Sequence, residues 1–214
     1  MSKAAAKSKV VLKEDGKFNF IYIMDAIAYY SRVYESQQKH KAPEGEKEYH
    51  ITLFVDEATK DALIDLPVNK GFSEVDVGKI TKGANRGNIK FPLDKYPDCE
   101  GLFGFKVSVP EFSKAKKPQH VKVVNKKGEK IDDLIGNGSR VNIKTFAWKN
   151  EDGEWNLRLD LVHVLELIEY KGGAGEVEDD VLGVTYDATS APAKPKEDIS
   201  DIPFDVDEDD DDYV

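Results

Sequence analysis

The 214-residue chain is 40% hydrophobic and 34% charged, with a formal net charge of −10. Its single cysteine, Cys99, excludes an internal disulfide framework and a Cys-rich zinc site, and His40, His50, His120 and His163 have no metal-ligand spacing, so no metal or cofactor is expected. No apolar run approaches the roughly 18–20 residues of a membrane span, and the basic start MSKAAAKSK has no apolar segment behind it, so the expected compartment is the cytoplasm.

Residues 1–14 are small, basic and aperiodic, and read as a flexible arm. Lys17–Tyr30, KFNFIYIMDAIAYY, is β-branched and aromatic, as a strand requires. Gln37–Glu48 is a polar loop with Pro43 and Gly45. Tyr49–Val55 alternates, with Tyr49, Ile51, Leu53 and Val55 on one face of a half-buried strand. The period then changes. Ala58, Ala62 and Leu66, with Leu63 alongside, make one stripe of a short helix that Asp56 can cap and Pro67 ends.

Val68–Gly101 is weakly periodic and reads as a long mobile excursion, with Lys82 and Arg86 among its flexible residues and Lys90 beside Phe91. Leu102–Phe112 is the next strand, with Phe103, Phe105, Val107 and Val109 on one side and Lys106 on the other. A short strand at His120–Val124 precedes the turn Asn125–Lys130. Arg140–Asn150 and Trp155–Tyr170 are two further strands, joined by a hairpin turn at Glu151–Gly153. Five or six short strands around one small helix fit a mainly β fold, a five-stranded Greek-key barrel of the OB type over residues 15–171. By pattern alone a β-sandwich fits nearly as well. From 172 to 214 glycines, a Ser/Pro/Ala linker and acidic runs predict a disordered tail, because this composition cannot bury enough apolar surface to offset its ordering entropy.

The charge is unevenly spread. Lys171–Val214 holds 3 basic and 15 acidic residues, whereas residues 1–170 hold 28 basic and 26 acidic. Such asymmetry points to nucleic acid or a protein partner. In the strand at Arg140, odd positions Val141, Ile143, Thr145 and Ala147 suit a core. Even positions place Arg140, Lys144, Phe146 and Trp148 on the wet face. Cations that track phosphates beside aromatics that stack bases are what a single-strand binder needs. The alternative is that Phe146 and Trp148 cover a second small core under the excursion. The window Ser113–Lys130 adds seven lysines, including Lys114, Lys116, Lys117 and Lys122, against Glu129 alone. They suit phosphate neutralisation with counterion release, or equally an ordinary solvated loop and hairpin.

Catalytic signals are weak. Gly136–Ser139, GNGS, lacks the Lys-Ser/Thr end of a phosphate-binding loop and no helix follows it, so it reads as a tight turn. Asp132 and Asp133 sit in a turn with no His or nucleophile to complete a site. No catalytic residue is assigned, and a binding protein is expected rather than an enzyme.

The order IGNGSR, VNIKTFAWKN, NLRLDLVHVLELIEY and KGGAGEVEDDV over Ile131–Val181 resembles the single-stranded DNA-binding proteins of T-seven-like phages and related tailed phages. Upstream, YHITLFV plus helix and then LFGFKVSV follow the same order of elements. The resemblance implies an OB fold and sequence-independent binding of single-stranded DNA in replication, recombination and repair. It also implies an acidic tail that contacts the replicative polymerase and helicase-primase and mediates homodimer contacts. The tail here ends in Asp209, Asp210, Asp211, Asp212 and Tyr213, followed by Val214. It also carries an internal SDIPF, with Asp201, Ile202, Pro203 and Phe204, similar to the terminal tip of bacterial single-stranded DNA-binding proteins. The alternative function is a protein-interaction adaptor whose acidic tail mimics DNA.

Overall fold

The computed structural model describes residues 7–15, 18–39, 41–76, 89–170, 176–179 and 184–187. In chain order the elements up to Tyr170 are β1 (Lys9–Asp15), β2 (Phe18–Gln38), β3 (Lys47–Val55), α1 (Glu57–Asp65), β4 (Ser73–Glu74), a 3-10 turn (Pro97–Cys99), β5 (Phe103–Pro110), β6 (Lys122–Val124), β7 (Ser139–Lys149) and β8 (Trp155–Glu166). Five of these strands close a barrel. β2 pairs with β3, β3 with β5, β7 with β8 and β7 with β2, all antiparallel, and a parallel bridge between β5 and β8 at Ser108 and Arg158 completes the ring. The mainly β barrel with one short helix is therefore the observed architecture, and the sandwich is excluded.

At 21 residues β2 is far longer than an ordinary strand, and it stays in the barrel by bending. Its register slips between Ile23 and Ala26 against β7, and between Tyr29 and Arg32 against β3. A non-glycine residue with positive φ lies within each slip, Asp25 at 60° and Tyr30 at 48°. Each bulge resets which residues point inward. Ile21 and Ile23 are interior before the first, Ala26 and Ala28 after it, and Val33 after the second. The barrel core continues through Ile51, Leu53, Phe105, Val107, Ile143 and Leu159, all at most 2% exposed.

Several expectations are corrected. Lys9–Glu14, read as part of a flexible arm, lies in β1, which pairs with β2 from Lys9↔Met24 to Asp15↔Phe18. The run Val10–Leu12 supplies the apolar residues such an edge strand needs. Asp56 caps α1 as expected, accepting a 2.8 Å hydrogen bond from the Thr59 amide. The buried stripe is Thr59 and Leu63, with Leu66 partly buried, and Ala58 is exposed. The helix is thus turned by about one residue from the Ala58–Ala62–Leu66 face, which puts the larger Leu63 in the core.

The described part of the excursion is packed rather than mobile. Val75, Phe91, Tyr96, Cys99 and Leu102 bury a second core on the outside of the barrel against Ile27, Tyr29 and Phe54. Phe54 is the reason: it points outward between inward-facing Leu53 and Val55, and its ring lies 5.1 Å from both Phe91 and Tyr96. Burial pushes the Cys99 thiol up to about 12, with Tyr29 opposing and Asp98 adding to the shift, so this cysteine is an inert core residue.

In the C-terminal unit, Glu176–Asp179 (β9) and Val184–Asp187 (β10) pair as an antiparallel ladder within the region read as disordered. The remaining positions of that region lie outside the described residues.

Candidate nucleic-acid interface

The alternation read in β7 holds residue by residue. Val141, Ile143, Thr145 and Ala147 are buried, while Arg140, Lys144, Phe146 and Trp148 lie on the outer face. Phe146 does not belong to the second core, which is built on β2 and β3 instead. It lies in an outer-face row set by register: Lys13 of β1 opposes Phe20 of β2, Phe20 opposes Phe146, and Phe146 opposes Arg158 of β8.

The rings in and beside this row form one aromatic surface. Phe146 lies 5.9 Å from Phe18, 6.1 Å from Phe20 and 6.3 Å from Trp148, the last at a shallow 32° tilt. Phe18 is 55% exposed and Trp148 44%, which leaves ring area open to solvent. Two cations edge it. The Arg158 guanidinium lies 4.8 Å from the Phe146 ring centroid, and the Lys144 ammonium 4.1 Å from that of Phe20. Lys144 also meets Asp160 at 3.2 Å. Lys122 joins from β6: it opposes Leu161, which opposes Lys144.

The other expected site residues are dispersed. Arg140 shares the outer face of β7 but is held by Asp25, with its Nε donating at 2.9 Å and its Nη2 paired to the second carboxylate oxygen. Glu166 stands 3.8 Å from it. Lys114, Lys116 and Lys117 are exposed on a turn closed by the Ser113–Lys117 hydrogen bond. That segment reaches the aromatic surface through Gln119, whose Oε1 accepts from Arg158 Nη1 at 3.2 Å. Lys106 lies on the outer face of β5, paired with the buried carboxylate of Glu48. Phe91, read beside Lys90, is a core residue. Lys82, Arg86 and the tail residues Asp201, Ile202, Pro203, Phe204, Asp209, Asp210, Asp211, Asp212 and Tyr213 lie outside the described residues.

Sequence reasoning missed Phe18, Phe20 and Arg158. The signal was present: Phe20 alternates with Ile21 and Ile23, and Arg158 stands between Leu157 and Leu159. Asp132 and Asp133 are exposed, and Gly138 has φ 88° in a turn where the Ser139 hydroxyl donates to the Gly136 carbonyl at 2.8 Å, as a tight turn requires.

No family model and no curated protein matches the chain. Solved structures do. The single-stranded DNA-binding protein from bacteriophage Enc34 in complex with ssDNA matches at 16% identity and a TM-score of 0.43, over 79% of this chain and all of that one. Gp2.5, a single-stranded DNA-binding protein encoded by bacteriophage T7, matches at 16% identity and a TM-score of 0.42, over 78% of this chain and 91% of that one. In structure, the chain is similar to single-stranded DNA-binding proteins of bacteriophages.

Proposed function

We propose that this protein binds single-stranded DNA without sequence preference and has no catalytic role. The observation that carries this reading is the solvent-open aromatic surface of Phe18, Phe20, Phe146 and Trp148 with Arg158 and Lys144 laid against its rings. Bases have a π-face whatever their identity, so stacking of about 1–3 kcal/mol per base is sequence-tolerant, and the cations set against the rings can neutralise the phosphates between. Lys122 extends the positive edge, and Lys114, Lys116 and Lys117 supply longer-range attraction. Arg140, occupied by Asp25, acts in the fold.

The acidic segment beyond Tyr170 competes with DNA for these cations and serves as a handle for a replicative polymerase and helicase-primase. In this reading the protein acts in the cytoplasm of a phage host, in replication, recombination and repair, and self-associates as a homodimer. The net charge of −12 over Lys171–Val214 and the resemblance described above support it.

The test is optical. Trp148 is 44% exposed and Trp155 is 6% exposed, so only Trp148 can report stacking directly. Adding poly-dT should quench emission in the wild type. A Trp148→Phe variant should still bind in a gel shift while showing little quenching. No gel shift by the wild type even at low salt would overturn the reading.

A further inference from the structure

The outer-face row that carries Phe146 does not stop at Arg158. Across the parallel seam Arg158 opposes Ser108 of β5, Ser108 opposes His50 of β3, and His50 opposes Arg32 in the second half of β2. The same register line therefore leads from the aromatic surface to a second group of cations. Lys106, two residues before Ser108, pairs with Glu48, two residues before His50. Lys70 follows Val68 and Asn69, which bridge to Trp155 at the start of β8, with the Asn69 amide donating to the Trp155 carbonyl at 2.7 Å, and it lies close enough to feel both charges.

This group has more positive than negative charge. Glu48 is its buried acid, and its carboxylate is already committed. Burial pulls that carboxyl up, but the hydrogen bond and charge of Lys106 outweigh it, with help from Ser108, and hold it below its usual range. Among the described residues no carboxylate lies within salt-bridge distance of Lys70 or Arg32. Arg32 instead lies over the Tyr170 ring at 5.9 Å. Lys70 is half-buried, and desolvation followed by repulsion from Lys106 lowers its ammonium, with Glu48 only partly offsetting them. Arg32 and Lys106 are exposed, and a cation group whose one acid is already paired is complementary to an anion.

Resting on the single-strand-binding reading, we infer that Lys70, Arg32 and Lys106 form a phosphate subsite for the same DNA strand that stacks on Phe146 and Trp148. From Phe146 to His50 is three inter-strand steps of about 4.8 Å, or roughly 14 Å along the surface. At about 3.4 Å per stacked nucleotide this is some four nucleotides, within the roughly 4–16-nucleotide footprint of one such barrel. The strand crosses the barrel along the register line, with bases on the β2–β7 side and backbone on the β3–β5 side.

The test uses the full chain and the double variant Lys70→Gln, Arg32→Gln. Lys106 is left in place because removing it would strand Glu48. With poly-dT, the slope of log affinity against log salt should become shallower by about 1.4, at about 0.7 per phosphate contact, while Trp148 quenching at saturation stays unchanged. An unchanged slope with normal quenching overturns the subsite and leaves the stacking reading intact; failure of the wild type to bind overturns both. Should the variant not fold, the His50 ring signals of the wild type decide by NMR. They should move with an oligo-dT of about 12 nucleotides, inside that footprint, and not with inorganic phosphate at equal phosphate concentration. Signals that respond to inorganic phosphate alone, or to neither, overturn the inference.

Discussion

The guanidinium of Arg158 lies over the ring of Phe146, 4.8 Å from its centroid, and is steadied there by a 3.2 Å hydrogen bond from Nη1 to Gln119. The contact joins a cation and a stacking surface in one unit. It also leaves Trp148, more exposed than Phe146, with ring area open to solvent beside it. Phe146→Ala and Trp148→Ala should each weaken poly-dT binding by roughly 1–3 kcal/mol. Arg158→Lys keeps the charge and loses the guanidinium contact to the Phe146 ring and the bond to Gln119, so affinity should fall with the salt slope unchanged. Arg158→Gln should also cut the slope by about 0.7. Fluorescence titration at several salt concentrations separates these outcomes, and an unaltered affinity in Phe146→Ala and Trp148→Ala would remove the aromatic surface from the binding site.

Arg140 provides the contrast. It looks like a phosphate contact in sequence, yet its fork is taken up by Asp25, the positive-φ residue of the first bulge, whose amide donates to Asn142 at 2.9 Å. Arg140→Ala should therefore lower stability, by about 1–2 kcal/mol for a charge-assisted pair that remains partly exposed. Its salt slope on poly-dT should match the wild type. A urea midpoint that does not move, with a shallower slope, would return Arg140 to the binding surface.

The β3–β5 face makes stability sensitive to acid. Burial depresses the imidazolium of His50, the charges of Lys106 and Arg32 add to this, and Glu48 only partly opposes them. A group whose folded pKa lies below its unfolded value contributes stability that is complete above the unfolded value, here near 6.5, and that is lost as pH falls below it. Glu48, also depressed, acts in the same direction at lower pH, below the usual carboxylate value of 4.5. The melting temperature should decline on acidification first below about pH 6.5 and again in the carboxylate range. His50→Gln should flatten the first decline and leave the second. If it keeps the first decline intact, another group is responsible.

Removal of residues 172–214 tests the acidic region. It takes away 15 acidic and 2 basic residues. If they compete for the cations of the barrel, affinity for single strands should rise, and most at low salt, where screening is weakest. Equal affinity in both forms at low salt would mean that the region does not visit the binding surface.

How much of this was readable beforehand depended on whether a strand keeps its alternation. β7 does, and its two faces were assigned correctly from Val141 to Trp148. β3 keeps it too, but Phe54 points outward and is still buried, because a second core forms over it. Nothing local to that strand announces the partners, Phe91 and Tyr96, about forty residues away. In β2 the alternation breaks at Asp25 and again at Tyr30. The two breaks cancel in parity, so Arg32 lies outward as plain counting from Ile21 and Ile23 would place it, but its pairing with His50 is set by the bulges and could not be counted from the residues. The pairing of Asp25 with Arg140, 115 positions apart, depends on the same bulge. Phe20 and Arg158 are different: their alternation with Ile21 and with Leu157 and Leu159 was plain and simply not used.

The ring of strands is joined by long antiparallel ladders everywhere except between β5 and β8, where the bridge is the single pair Ser108 and Arg158. That junction is the seam at which the cylinder would part with the least loss of backbone bonding. It also lies midway along the line from Phe146 to His50. A strand gripped on both banks would act as a clasp across it, so that occupancy and closure of the cylinder reinforce each other. The mechanical weak point of the fold and the middle of its track would then be the same place.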